Sequence, residues 1–285
     1  MQTLSVAKLH IEKQILSDQT YFIGEHDVNS PVIDFIDETK NITRHRKYNF
    51  NRFKFNFYSL IIDIYHHIYL FKGELNNLHD ILNTFSEETR ENLLEISEIG
   101  VNDRKSAFIK DYYKAIDTDV EHKFIGCYKK FIEENIKPLF PDEKQLLYQT
   151  TPNLRFSLPN STAIGRRSDS DPSPDIIGLH KDSDFGHAKE EINIIIPITE
   201  MFDTNSVYYE TELGSQEYEN LQLKQNEFFI GYLSQLNHYN RINKTEKTRI
   251  SLDFRIIPFS KYKEGSHSSV TSHKKMVIGD YFDII

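Results

Sequence analysis

Residues 249–257 read RISLDFRII, and their alternation decides how the second half of the chain is read. Arg249, Ser251, Asp253 and Arg255 fall on one face of an extended segment, and Ile250, Leu252, Phe254 and Ile256 on the other. Side chains alternate with period two only on a strand, so this is a strand with an apolar core face and a polar face. An ordinary half-buried strand with a wet face fits that pattern, and so does a polar face turned into a pocket. Upstream, segments 146–158, 176–180, 192–198, 206–209 and 228–232 carry strand-like runs. Turn-rich stretches separate them: NSTAIGRRSDSDPSPD (160–175), ELGSQEYEN (212–220) and LNHYNRINKTEKT (236–248). Six or more short strands without intervening helices predict an antiparallel barrel or jelly roll.

The first half has a different texture. Only Pro31 precedes residue 138, whereas the other eight prolines lie between Pro138 and Pro258. FYSLIIDIYHHIYL (57–70) is apolar on more than one side and reads as a buried helix, with strand as the alternative. One of His66 and His67 is expected in the core. Ser86 is a good N-cap for the segment that follows, and Gly100 stands where that helix would stop. Aromatic and aliphatic residues recur at three- and four-residue spacing over 108–136, which predicts one or two amphipathic helices. The fold class expected is therefore α+β. A mainly helical region, 1–140, packs on a β core, 141–260, with a C-terminal extension, 261–285, in one integrated domain.

Composition bounds the rest. The 285 residues include 27% charged and 38% hydrophobic side chains, as in globular proteins. A chain of this length buries on the order of 75% of its unfolded surface. The single cysteine, Cys127, excludes internal disulfides and zinc ribbons, which points to a reducing cytoplasm. The net charge of −9 weighs against a general nucleic-acid binder, although RHRKYNFNRFKF (44–55) interleaves bases with aromatics. No apolar run approaches the ~20 residues of a membrane span, and the opening residues hold no signal-peptide core. The expected partner is a small-molecule substrate, with neither nucleic acid nor membrane. Phosphate-loop, dinucleotide and nucleophile-elbow motifs do not occur.

His180 closes an apolar strand and is followed two residues later by Asp182, a spacing that sets an imidazole and a carboxylate side by side on a strand. His-x-Asp alone also fits a plain hydrogen bond at a polar strand end. His238 comes 56 residues after Asp182, and Arg249 eleven residues beyond that, with Ser251 next on its face. Two histidines and a carboxylate form the facial triad of non-haem Fe(II) oxygenases. An arginine fork with a neighbouring hydroxyl suits the far carboxylate of a chelating 2-oxo dicarboxylate.

These residues resemble those of the Fe(II)/2-oxoglutarate-dependent dioxygenases with a double-stranded β-helix. Within that superfamily they are most similar to the group typified by a streptomycin-biosynthesis oxygenase. The matching stretches are TPNLRFSLP, LHKDSDFGH, EINIIIPIT, TNSVYYE and TRISLDFR, all within residues 145–260. The resemblance implies Fe(II) on His180, Asp182 and His238, 2-oxoglutarate on Arg249 with help from Ser251, and O2 as co-substrate. Arg255, on the same face, is the rival for 2-oxoglutarate. The reaction implied is decarboxylation of 2-oxoglutarate to succinate coupled to hydroxylation of an unactivated C–H bond. A carboxylate at Asp182 argues against the halogenase variant of the site.

Other polar residues are candidates for the same pocket. Asn193 interrupts an apolar strand and needs partners wherever it points, with 2-oxoglutarate or substrate among them. Arg155 and Gln149 lie on the strand before the first ligands and could meet the substrate. Asp184, Glu190 and Glu191 cluster near the metal motif and would suit an amine-bearing substrate. Asn205, Asn240 and Asn243 read as turn residues. Kinship with antibiotic biosynthesis suggests an amino sugar or amino acid derivative as substrate. The rival readings are a jelly-roll metalloenzyme that does not use 2-oxoglutarate, and a non-catalytic metal- or ligand-binding module.

Overall fold

The computed structural model describes residues 36–37, 42–43, 45–94, 96–97, 100–101, 106–116, 119–161, 176–264, 268–269 and 274–285. The opening residues, most of the turn segment 160–175 and parts of the C-terminal polar stretch lie outside the described residues.

The β core consists of two antiparallel sheets. The strands are β1 (Arg46–Asn49), β2 (Leu146–Gln149), β3 (Asn153–Ser157), β4 (Ile177–His180), β5 (Ile192–Pro197), β6 (Val207–Glu210), β7 (Tyr218–Asn220), β8 (Glu227–Gly231), β9 (His238–Asn240), β10 (Arg249–Pro258) and β11 (Phe282–Ile284). The large sheet runs β11-β2-β10-β5-β8-β1, with β3 also paired to β10, and the small sheet runs β7-β6-β9-β4. All six residues of β5 (INIIIP) are buried. Its β-branched side chains suit a pleated surface covered on both faces. Ile192, Ile194 and Ile196 enter the main core, while Ile195 joins a separate apolar cluster with Met201, Tyr209 and Phe229.

The helices are α1 (Phe57–Tyr69), α2 (Glu87–Leu94), α3 (Ala107–Ile116) and α4 (Asp119–Phe131). Asn56 caps α1 by accepting from the Ser59 amide, and Ser86 caps α2 by accepting from the Thr89 amide at 3.3 Å. The helices lie on the large sheet through aromatic contacts. Tyr128 meets Phe254 edge-on at 4.9 Å, and Phe131 meets Phe228 at 5.4 Å. Burying each such ring contributes roughly 1.5–3 kcal/mol. Helical and strand residues therefore share one hydrophobic core.

Several expectations change. His66 and His67 are both exposed, because α1 buries Phe57, Ile61, Ile64 and Tyr65 instead. Residues 146–158 form two strands, β2 and β3, broken before Asn153 at Pro152. Helix α2 stops at Leu94, ahead of Gly100. The basic aromatic stretch is strand β1 plus core: Tyr48, Phe50 and Phe55 are buried. That strand brings a piece of the N-terminal region into the large sheet, pairing with β8. Among the described residues no helix is long and apolar enough to cross a membrane. Burial pushes the Cys127 thiol up to about 11, so it is no ready nucleophile.

Candidate metal centre

The polar face of β10 closes a cavity between the two sheets. Arg249, Ser251, Asp253 and Arg255 line it, while Ile250, Leu252, Phe254 and Ile256 sit in the core behind. From the small sheet come His180 and His238, which are directly opposed partners of β4 and β9. The ladder carries a bulge beside them, since His238 pairs His180 but Asn240 pairs Ile177. Gly178 in the bulged strand has φ +69°, a left-handed conformation that glycine adopts without strain.

Asp182 is not on the strand. It opens a 3-10 turn, Asp182–Phe185, and its amide donates to the Leu233 carbonyl at 3.0 Å. The turn, and not strand alternation, brings the carboxylate to the histidines. Asp182 Oδ1 lies 3.7 Å from His180 Nε2 and 3.6 Å from His238 Nε2, and the imidazole centroids are 4.3 Å apart. His180, Asp182 and His238 each offer one ligand atom within 4.8 Å of the others.

The other ring nitrogens are committed. His180 Nδ1 contacts the Gly178 carbonyl, and His238 Nδ1 contacts the Leu236 carbonyl at 3.1 Å. A carbonyl only accepts, so each Nδ1 carries a proton and each Nε2 is the ring nitrogen turned toward Asp182. This is how metal-ligating histidines are oriented. Burial first, and the neighbouring His180 second, push His238 down to about 4, so its ring is neutral and free to ligate at neutral pH.

The second carboxylate oxygen is held from the large sheet. Asp182 Oδ2 accepts from Arg255 Nη2 at 2.7 Å and from Asn193 Nδ2 at 2.7 Å. Arg255 and Asn193 are themselves cross-strand partners on β10 and β5. Burial opposes ionisation of Asp182, but the Arg255 guanidinium, with help from the histidines, holds it well below the usual carboxylate range. Arg255 Nη1 reaches on to Asp253 Oδ2 at 3.3 Å, and Arg155 Nε stands 3.6 Å from the same oxygen. Alternating charges thus run Asp182, Arg255, Asp253, Arg155 along the cavity wall.

Arg249 takes a separate position. It is 2% exposed and donates to the Asn205 carbonyl at 3.0 Å, to Ser251 Oγ at 2.9 Å and to Asn240 Oδ1 at 3.3 Å. The two arginines of β10 therefore part company: Arg255 meets the carboxylate of the metal motif, and Arg249 meets neutral oxygens further along the cavity. Asn240, read as a turn residue, is a strand residue that orients Arg249.

Of the remaining candidates, Arg155 and Asn193 line the cavity, and Gln149 and Asp184 do not. Gln149 is buried and donates to the Thr151 carbonyl at 2.7 Å. Asp184 accepts from the Lys181 amide at 2.9 Å, closing the turn that carries Asp182. His187 lines the cavity but the sequence reading gave it no role. Its Nδ1 lies 2.7 Å from Glu191 Oε2, and the pair sits in a turn, where no periodicity in the sequence links the two side chains.

The donor set suits a divalent transition metal. Two imidazoles and one carboxylate oxygen converge, with supporting contacts on all three. Asn193 Oδ1, Asp253 Oδ1 and Arg255 Nε are buried at this cavity with no hydrogen-bond partner, so its wall has polar capacity to spare.

Comparison with known proteins gives a partial match. The streptomycin biosynthesis protein StrG of Streptomyces griseus is 31% identical over 148 residues, which is 52% of this chain and 65% of StrG. The chain thus spans just under two thirds of that relative's length. No protein-family model matches. Three solved structures show a distant likeness to the chain. One is the nickel complex of the non-haem monooxygenase ThoJ (10% identity, TM-score 0.34, 70% of this chain and 69% of that one). Another is the α-ketoglutarate-dependent epimerase SnoN from nogalamycin biosynthesis (10%, 0.35, 59% and 73%). A third is AviO1 from Streptomyces viridochromogenes (8%, 0.38, 84% and 99%).

Proposed function

We propose that the chain is an Fe(II)- and 2-oxoglutarate-dependent oxygenase built on a double-stranded β-helix. The observation that carries this is the convergence of His180 Nε2, His238 Nε2 and Asp182 Oδ1, with both Nδ1 atoms tied to carbonyls. His180, Asp182 and His238 would hold the metal, and Arg249 with Ser251 would take the distal carboxylate of 2-oxoglutarate. Iron and 2-oxoglutarate held there would activate O2, with oxidative decarboxylation of 2-oxoglutarate to succinate supplying two of the electrons that O2 takes up.

The chain's own residues do the rest. Arg255 and Asn193 hold Asp182 Oδ2, so one oxygen only faces the histidines. Arg249 is buried and pre-oriented, so little side-chain freedom is lost when it meets a carboxylate.

The substrate in this reading is a small polar metabolite of natural-product biosynthesis, an amino sugar or amino acid derivative, hydroxylated at an unactivated carbon. Its support is the StrG match together with a cavity wall that carries charged and polar side chains among apolar ones. Helical and β regions act as one domain in the cytoplasm, with neither nucleic acid nor membrane as partner. The deciding experiment is O2-dependent succinate release from 2-oxoglutarate by iron-loaded protein over a metabolite panel. Wild-type protein that never exceeds the Asp182→Ala background sinks the reading.

A further inference from the structure

Strand pairing sets His180 against His238, but Asp182 lies in a turn, so its place depends on what holds that turn. The partner is a second turn, residues 232–236, which leads into β9 and His238. It is tight: the Gln235 and Leu236 amides both donate to the Tyr232 carbonyl, at 3.0 and 2.9 Å. Its Leu233 carbonyl accepts from the Asp182 amide at 3.0 Å, and its Ser234 carbonyl accepts from the Ser183 amide at 3.2 Å. Its Leu236 carbonyl orients the His238 ring. The same short stretch therefore meets the carboxylate turn and the second histidine.

Ser234 is 0% exposed. Its Oγ donates to the Glu191 carbonyl at 2.8 Å and to the Lys189 carbonyl at 3.1 Å, one proton shared between two acceptors. Two carbonyls so close in sequence reach one hydroxyl only where the chain bends around it. Ser234 thus grips both ends of segment 183–191, the first end with its carbonyl and the second with its side chain. Gln235 Nε2 adds a more exposed bond to the Lys189 carbonyl at 3.0 Å. The gripped segment runs from Asp182 to Asn193, whose Nδ2 returns to Asp182 Oδ2 at 2.7 Å. Glu191, 1% exposed, stiffens the second end by accepting from the Ala188 amide at 3.0 Å.

We propose that Ser234 is a positioning residue for the metal centre. Its hydroxyl fixes the loop that joins Asp182 to Asn193, and so sets the Asp182 carboxylate relative to His238. The role rests on the metal centre of the oxygenase reading and not on its cosubstrate or substrate. Ser234→Ala keeps every ligand atom, so an altered metal site would report position and not a lost ligand.

The test titrates the full-length protein with Ni(II) and records the visible absorption of its Co(II) form, whose bands follow coordination geometry. Ser234→Ala should weaken Ni(II) binding about 10–100-fold, as loss of a contact supporting metal ligands does, and shift the Co(II) bands. Thr199→Val is the comparison. Thr199 is 1% exposed, and its Oγ1 also joins two backbone groups, the Thr248 carbonyl at 2.9 Å and the Ile250 amide at 2.8 Å, but just past the other end of β5. That variant should melt at a lower temperature yet keep wild-type Ni(II) affinity and the wild-type Co(II) spectrum. Wild-type affinity and spectrum in folded Ser234→Ala overturn the proposal, as does an equal loss in Thr199→Val. Should Ser234→Ala not fold, Gln235→Ala decides: a weaker Ni(II) affinity with shifted bands supports the role, and wild-type values overturn it. Wild-type protein that takes up no Ni(II) overturns the metal centre itself and this role with it, whereas the other adverse outcomes overturn the role alone.

Discussion

Arg255 Nη2 stands 2.7 Å from Asp182 Oδ2, joining two residues 73 positions apart and tying the large sheet to the turn that carries the carboxylate. Both side chains are buried, at 5% and 7% exposure. Removing one partner of such a pair leaves an uncompensated charge and costs on the order of 3–5 kcal/mol. Asp182→Ala should therefore lower stability as well as abolish metal binding. Asp182→Ala with Arg255→Leu should recover part of the stability and none of the metal binding, as read by denaturant unfolding and Ni(II) titration.

Arg255→Gln alone should leave the three ligand residues in place but free the Asp182 carboxylate to rotate. Loss of such a supporting contact typically weakens metal affinity about 10–100-fold. Equilibrium dialysis against Ni(II) checks this, and an unchanged affinity would remove Arg255 from the role of positioning residue.

Arg249→Ala should do the opposite. Metal affinity should stay within threefold, because Arg249 bonds Asn205, Ser251 and Asn240 and not Asp182. Binding of 2-oxoglutarate to the Ni(II)-loaded protein should fall by at least 100-fold, in line with the ~3–5 kcal/mol attached to a desolvated charge pair. If Arg255→Gln shows that loss and Arg249→Ala does not, the two roles are reversed.

His238 gives the metal-free protein an acid-sensitive element. Its folded value, about 4, lies below the ordinary histidine value of 6.5, so the unfolded chain takes up the proton first. The stability it contributes is complete above roughly pH 6.5 and is lost as pH falls toward 4. Melting temperature between pH 7 and pH 4.5 should drop more steeply for wild type than for His238→Gln. Parallel slopes would show that His238 does not titrate in this window.

Phe131 contacts Phe50, Phe55, Phe57 and Phe228, bridging helix and sheet. Phe131→Ala should cost about 3–5 kcal/mol, as large-to-small core substitutions of this type do. Far-ultraviolet dichroism and tyrosine fluorescence should report one shared transition. Two separated transitions would mean that helical and β regions fold as independent units.

What could be read from the sequence depended on length and alternation. Strands β5 and β10 stood out because six or more residues of clear pattern outweigh noise. Strands β7 and β9 hid, since YEN and HYN are three polar or aromatic residues inside turn-rich surroundings. The His180 and His238 pairing followed from motif spacing, but the separate stations of Arg249 and Arg255 did not. Parity puts both on one face, and only the register of β10 against β5 decides which of them meets Asp182. His187 escaped because its partner, Glu191, is four residues on in a turn, where no periodicity links side chains. His66 and His67 misled because an apolar helix still has an outer face.

The ten residues of β10 also act as a guard on assembly. Shifting that strand by a single position would drive two guanidinium groups and a carboxylate into the aromatic core and turn four large apolar side chains toward the triad. No compact chain could tolerate that, so misaligned intermediates are rejected by the same charges that furnish the cavity. Redesigns that swap Arg249, Asp253 and Arg255 for hydrophobic residues in search of thermostability would erase this discrimination. They would invite chains that collapse readily but settle into more than one alignment.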